Sequence, residues 1–346
     1  MDWNKYREDF LIKAKNQKKD KKYCDKWLSY AYNLYEQELP IIYNQEHFCK
    51  LVGYMPEYVY AASNSADYFY RTFFIPKKSG GLRKICEPLP NLKEIQKWIL
   101  ETILSKMQVS VYAKAYIKGK NVKENARFHR AQKKVLSLDI QDFFSKISPF
   151  LVYETFINVG YNKDVSMMIT MLCCKEGGLP QGAPTSALLS NIIMKNFDNV
   201  IGDYIIKNKI RYTRYADDMT FSGEFDELEI IRLVRHELKK YGFCLNGKKT
   251  RLRQEGQRQE VTGIIVNKKL QISKDQRKKI RQEIYFIKKY GLQSHLTYTN
   301  EQRKGYIEHL FGKISYALYI NPKDEELKEY REFLLQYKSN SEISLN

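Results

Sequence analysis

Apolar and polar positions along this chain follow two rhythms, one of period near 3.6 and one of period two, and the switches between them outline its elements. The N-terminal part keeps the helical rhythm through a lysine-rich run at 11–22 and an aromatic segment around Trp27–Tyr35. Residues 70–87 read as a β-hairpin, with two apolar strands flanking Lys77–Gly81 and Gly80-Gly81 supplying the turn. A helix at about 91–107, a strand at 134–140 (KVLSLDI), helices around 150–174 and a Gly/Pro loop at 177–184 follow. Thr185 or Ser186 is placed to cap a helix running to about Asn199. Residues 210–222, IRYTRYADDMTFS, form a second predicted hairpin. A helix over 226–241 ends at Gly242, a strand pair extends to about 272, and helices fill the rest. Strands interleaved with helices that do not all cross over predict an α+β fold.

The segment 273–290 carries the clearest helical pattern. Ser273 and Gln276 match a capping box, and Gly291 suits the C-terminal end. Ile280, Ile284 and Ile287 make an apolar stripe; Lys274, Lys278, Arg281, Tyr285 and Lys288 make a basic one. Such a face suits a phosphate backbone or, as readily, plain solvent. The lysine run at 11–22 fits a solvated helix face. Neither internal repeats nor a long flexible linker interrupts the chain.

Charge sharpens this picture. The 346 residues hold 59 Lys and Arg against 40 Asp and Glu, a formal net charge of +19, which favours a polyanionic partner without fixing a fold. The excess is uneven: residues 1–70 are balanced, 71–134 carry 16 basic and 4 acidic groups, 135–242 carry 12 and 14, and 243–346 carry 21 and 12. A slightly acidic middle between basic flanks suits a polyanion handled over metal ions. The six cysteines form no C-x-x-C pair, and no histidine stands at zinc-finger spacing, which predicts a reduced, cytoplasmic setting. Charges in MDWNKYREDF occupy the place of a signal peptide's apolar core, and no run of about 18 apolar residues occurs, so no secretion and no membrane association are expected.

The sharpest chemistry lies in Tyr215-Ala216-Asp217-Asp218. Neighbouring residues of a regular strand point to opposite faces, so two adjacent carboxylates reach one site only at a turn. Alone, an Asp-Asp turn is ordinary turn chemistry. Asp139, at the end of an apolar strand in KVLSLDIQDFF, changes its meaning, because a carboxylate there is costly to bury without a compensating cation, unless it simply caps the following helix. Three clustered acids repel, a strain that a pair of Mg²⁺ ions relieves. Two such ions about 3.5–4 Å apart can activate a hydroxyl and stabilise the leaving oxygen of a phosphoryl displacement.

The order LDIQDFF, GLPQGAPTSALLSN, YADD, LNGKKT and VTG, with FFIPKKSGGLRKI upstream, resembles the ordered motif series of reverse transcriptases over about residues 70–270. The resemblance implies a right-hand polymerase: fingers within 1–134, a palm over 135–270 with fingers helices inserted at about 150–210, and a helical thumb or RNA-binding region over 271–346. It makes Asp139, Asp217 and Asp218 the catalytic aspartates, with the Ile140 carbonyl assisting metal binding. Lys77 and Arg83 resemble residues that grip the incoming triphosphate, and Gln181 one that contacts its sugar and phosphate. Phe144 stands where the family has an aromatic gate against the 2′-hydroxyl, with one of Phe143 and Phe144 left for the core. Lys249, or its neighbour Lys248, resembles a lysine near departing pyrophosphate. The implied cofactor is two Mg²⁺ ions, with Mn²⁺ as a substitute.

Asn125-Ala126-Arg127-Phe128-His129 and Val261-Thr262-Gly263 match the NAxxH and VTG strings associated with bacterial retron reverse transcriptases. As residues alone, Asn125 and His129 fit a local packing pair as well as an RNA contact. The retron resemblance implies a structured non-coding RNA as template and primer, deoxynucleoside triphosphates as substrates, and a branched RNA–DNA hybrid as product. It also implies an accessory effector protein in phage defence. About 75 residues follow position 271, too few for a ribonuclease H domain, so template removal falls to a host enzyme. The rivals are a group II intron-like or other defence-associated reverse transcriptase, and a non-catalytic RNA-binding scaffold with the same fold.

Overall fold

The computed structural model describes residues 2–77 and 80–343. The strands are β1 (Tyr70–Pro76), β2 (Leu82–Pro88), β3 (Lys134–Asp139), β4 (Arg211–Tyr215), β5 (Asp218–Gly223), β6 (Arg251–Gln254), β7 (Glu260–Val261) and β8 (Ile264–Ile265). They form a β1–β2 ribbon, a four-stranded sheet ordered β4-β5-β3-β6, and a β7–β8 ribbon. The pairs β1 with β2, β3 with β6, β4 with β5 and β7 with β8 are antiparallel. With helices flanking these sheets, the fold is α+β, as expected.

The chain divides into two compact units. One comprises Met1–Ile117, Asp139–Tyr204 and Leu228–Gly247; the other comprises Lys118–Leu138, Ile205–Glu227 and Lys248–Asn346. These lines differ from the fingers, palm and thumb boundaries expected from the sequence.

In the first unit the lysine run at 11–22 is not one helix. Trp3–Asn16 ends, Lys18 takes φ 52°, and Asp20 caps Lys21–Glu36 by accepting from the Tyr23 amide. The β1–β2 ribbon closes through Lys77, whose amide donates to Gly81 O. Gly80 (φ 85°) and Gly81 (φ 78°) adopt left-handed backbone that other residues resist. The helix expected at 91–107 is Pro90–Thr102 followed by a separate turn at Leu104–Lys106. The helix expected to stop near Asn199 divides at Met194 into Ser186–Ile193 and Lys195–Lys207. Thr185 makes no side-chain cap there, while Ser186 Oγ donates to Pro180 O. Cys49, Cys86, Cys173 and Cys174 are buried, Cys24 is half-buried and Cys244 is exposed, all six as free thiols.

The second unit holds the four-stranded sheet and two apolar cores. Ala126, Val135, Val261, Ile264, Val266, Leu270 and Ile320 form one. The other gathers Ile280, Ile284 and Ile287 of the helix Lys274–Tyr290 against Leu310, Ile314, Leu327 and Leu334. The predicted apolar stripe is therefore the buried face, and the Ser273–Gln276 capping box is present in both directions. Among the described residues, no helix is long and apolar enough to cross a membrane.

Candidate active site

The β4–β5 turn consists of Ala216 and Asp217, between the paired residues Tyr215 and Asp218. Ala216 sits at φ 59°, where a non-glycine residue is strained, a feature common at functional turns. Arg214 opposes that strain. Its guanidinium is fully buried and donates to Ala216 O at 3.1 Å. Asp217 and Asp218 are half-buried, leaving their carboxylates accessible beside a fixed backbone. The hydrophobic rhythm of IRYTRY gives no reason for Arg214; its one signal is a cation at an inward strand position next to two acids.

Asp139 is the last residue of β3, the strand beside β5 in the sheet, and is also half-buried. Asn246 of the LNGKKT segment holds it twice: its amide donates to Asp139 O at 2.8 Å and its Nδ2 to Asp139 Oδ1 at 3.3 Å. Ile140, 1% exposed, bridges Leu245 in antiparallel fashion. The turn thus brings Asp217 and Asp218 together. Among the described residues, no three His, Cys, Asp or Glu side chains are gathered tightly enough to hold a metal. The accessible oxygen donors suit a hard divalent ion such as Mg²⁺.

The expected nucleotide-side residues of the first unit share one framework. Gln181 O accepts from the Cys86 amide of β2 at 2.8 Å, and Phe144 O accepts from the Leu179 amide at 2.9 Å. The loop carrying Gln181 is thereby fastened to β2 and to the short helix Phe143–Lys146. A Cβ at Gly182 would stand 3.0 Å from Cys86 O, so only glycine lets these backbones approach so closely. Lys84 clamps the same loop through Glu176 at 2.6 Å. Phe143 is the core ring, 3% exposed, while Phe144 stays half-exposed beside Tyr116. Lys77 and Arg83 are exposed near the turn of the β1–β2 ribbon. Lys248 and Lys249, in the second unit, are exposed on the turn Gly247–Lys249.

One expectation for RNA contacts needs correction. Asn125 and His129 are 1% and 0% exposed, so neither presents a surface to RNA; both are buried, Asn125 against Thr262 and His129 against Thr213 and Ser222. On the helix Lys274–Tyr290, Lys274 and Lys278 are exposed, but Arg281 is tied to Glu326 at 2.7 Å and Lys288 lies over the Phe333 ring at 4.9 Å. The basic stripe is thus partly engaged by the helix Glu325–Ile343, whose acids no 18-residue window could reveal.

Residues 75–280 match the model of the family described as reverse transcriptase (RNA-dependent DNA polymerase). The retron Ec86 reverse transcriptase of Escherichia coli is 30% identical, the match covering 82% of this chain and 87% of that protein. The chain belongs to the bacterial retron reverse transcriptases. The retron Ec83 enzyme of E. coli is 31% identical over 73% of this chain and 83% of its own length. The retron Mx65 enzyme of Myxococcus xanthus is 31% identical over 74% of this chain, which spans only 62% of that relative. The match takes in FFIPKKSGGLRKI from Ile75 onward and every later motif through VTG of this reverse transcriptase.

Proposed function

We propose that this chain extends a primer by copying RNA into DNA, with Asp139, Asp217 and Asp218 as its catalytic carboxylates. The observation that carries this reading is the β4–β5 turn, where two accessible acids stand on a strained backbone held by a buried arginine. A primer hydroxyl attacks the α-phosphate of a deoxynucleoside triphosphate; the new P–O bond forms as the bond to pyrophosphate breaks, and the hydroxyl proton passes to solvent. Asp139, Asp217 and Asp218, with the Ile140 carbonyl, would hold two Mg²⁺ ions, which supply charge neutralisation at the attacking and leaving oxygens. Lys77 and Arg83 grip the triphosphate with charge-assisted hydrogen bonds. Gln181 contacts sugar and phosphate, Phe144 screens the 2′ position, and Lys249 stands by the departing pyrophosphate.

The finer reading follows the retron relatives. A structured non-coding RNA serves as template and as 2′-hydroxyl primer, giving a branched RNA–DNA hybrid that acts with an effector protein in the cytoplasm against phage. Exposed Lys274 and Lys278 support phosphate contacts with that RNA.

The test is primed extension by the purified full chain with Mg²⁺. Asp217→Ala or Asp218→Ala should cut the rate by at least about 10²–10³-fold while RNA binding is kept. Wild-type material that adds no deoxynucleotide to any primed RNA would sink the proposal. In the same assay Phe144→Ala should weaken rejection of ribonucleotides by about tenfold or more. Unchanged discrimination removes Phe144 from the gate.

A further inference from the structure

His129 belongs to one of the two strings that tie this chain to its relatives, yet no step above uses it. Its ring is fully buried, with Nδ1 2.7 Å from Ser222 Oγ and Nε2 2.8 Å from Thr213 Oγ1. Those hydroxyls are on different strands, Thr213 on β4 and Ser222 on β5. In the ladder Arg211 faces Ser222, Thr213 faces Thr220 and Tyr215 faces Asp218. Alternation therefore puts Thr213, Ser222 and Asp218 on the same face of the ribbon, and the imidazole spans a diagonal pair on it.

An aliphatic side chain could fill this space with less desolvation cost. Burying an imidazole and two hydroxyls is favourable only because they satisfy one another, and that makes the contact directional. A second tie lies alongside: Arg211 Nη1 donates to Phe128 O at 2.8 Å. The helix Val122–Phe128 that leads into His129 is itself anchored. Ala126 packs with Val135, Val261 and Ile264, and Asn125 Nδ2 lies 3.5 Å from Thr262 Oγ1. The NAxxH and VTG strings, 137 positions apart between Asn125 and Thr262, thus meet in one core.

We infer that His129 is a positioning residue for polymerisation: it staples both strands of the β4–β5 ribbon to the helix Val122–Phe128 and so fixes the turn that presents Asp217 and Asp218. The inference rests on the catalytic reading of those two acids.

The test compares wild type with His129→Ala, His129→Gln, Thr213→Val, Ser222→Ala and Asp217→Asn, all as full-length chains in primed extension. His129→Ala should lower kcat by about 10²-fold, since small misplacement of a reacting group is that costly, with dNTP KM and primer–template affinity nearly unchanged. His129→Gln keeps a donor and an acceptor and should restore about tenfold of that loss. A folded His129→Ala protein with wild-type kcat, or one changed only in KM, overturns the inference. Should His129→Ala not fold, Thr213→Val and Ser222→Ala decide: each should lower kcat, and together less than additively, whereas full activity in both overturns it. Asp217→Asn separates the two claims, because an active Asp217→Asn protein defeats the catalytic reading itself.

Discussion

The β1–β2 and β4–β5 ribbons share antiparallel pairing and tight turns, but they meet opposite surroundings. Along β1 only Tyr70 is buried; Phe74 and Leu82 near the turn are 59% and 61% exposed. Along β4 and β5 Tyr212, Thr213, Arg214, Met219, Thr220, Phe221 and Ser222 are all buried. The exposed ribbon carries cations, whose long side chains stay hydrated and reach outward. The buried ribbon carries acids, whose usefulness depends on backbone that does not shift. In the proposed mechanism, charge that must be exact in position is mounted on core, and charge that must reach is mounted on an exposed ribbon.

The comparison breaks most visibly at Arg214. Arg214→Met should cost about 2–4 kcal/mol in chemical denaturation, because a buried carbonyl on a strained turn loses its donor. Stability equal to wild type would mean the turn needs no such support. Arg83→Ala, on the open arm, should instead raise dNTP KM about tenfold with kcat and stability nearly unchanged. A kcat loss larger than the KM change would place Arg83 nearer the reacting atoms. The smallest effect concerns Glu87, whose carboxyl is held well below the usual range, at about 2, by hydrogen bonds from Lys93 and then Arg71. A lowered carboxylate pKa stabilises the fold above its unfolded value near 4.5, and that contribution fades as pH falls toward 2. Thermal melts at about pH 5 and about pH 3 should therefore converge slightly for Glu87→Gln relative to wild type. Identical pH dependence would assign this exposed pairing no role.

Much of this was legible in the residues. Period-two alternation around a turn located both ribbons, and the spacing of Ile280, Ile284 and Ile287 gave the correct inner face of their helix. The break at Lys18 leaves no mark in the sequence because lysines continue on both sides of it, and the division at Met194 leaves none because an apolar run spans it. Arg281 is exposed, as its place on the helix implies, but its partner Glu326, 45 positions away, leaves no trace in the helical rhythm. Distance along the chain likewise hides the surroundings of His129. A polar residue four positions from Asn125 gives no hint of hydroxyls supplied by strands 84 and 93 positions on. Periodicity tells which side of an element is apolar; it does not tell which distant group will satisfy a buried polar one.

The uneven exposure of the thiols gives this molecule a built-in reporter. Burial pushes Cys173 up to about 12 and Cys174 further still, so neither supplies much thiolate near neutrality. Cys244 is open to reagents, and its carbonyl accepts from the Gln141 amide, two residues past Asp139. A maleimide dye added to the unmodified chain should settle there first, placing a fluorophore beside the strand end that carries Asp139 without altering a single residue.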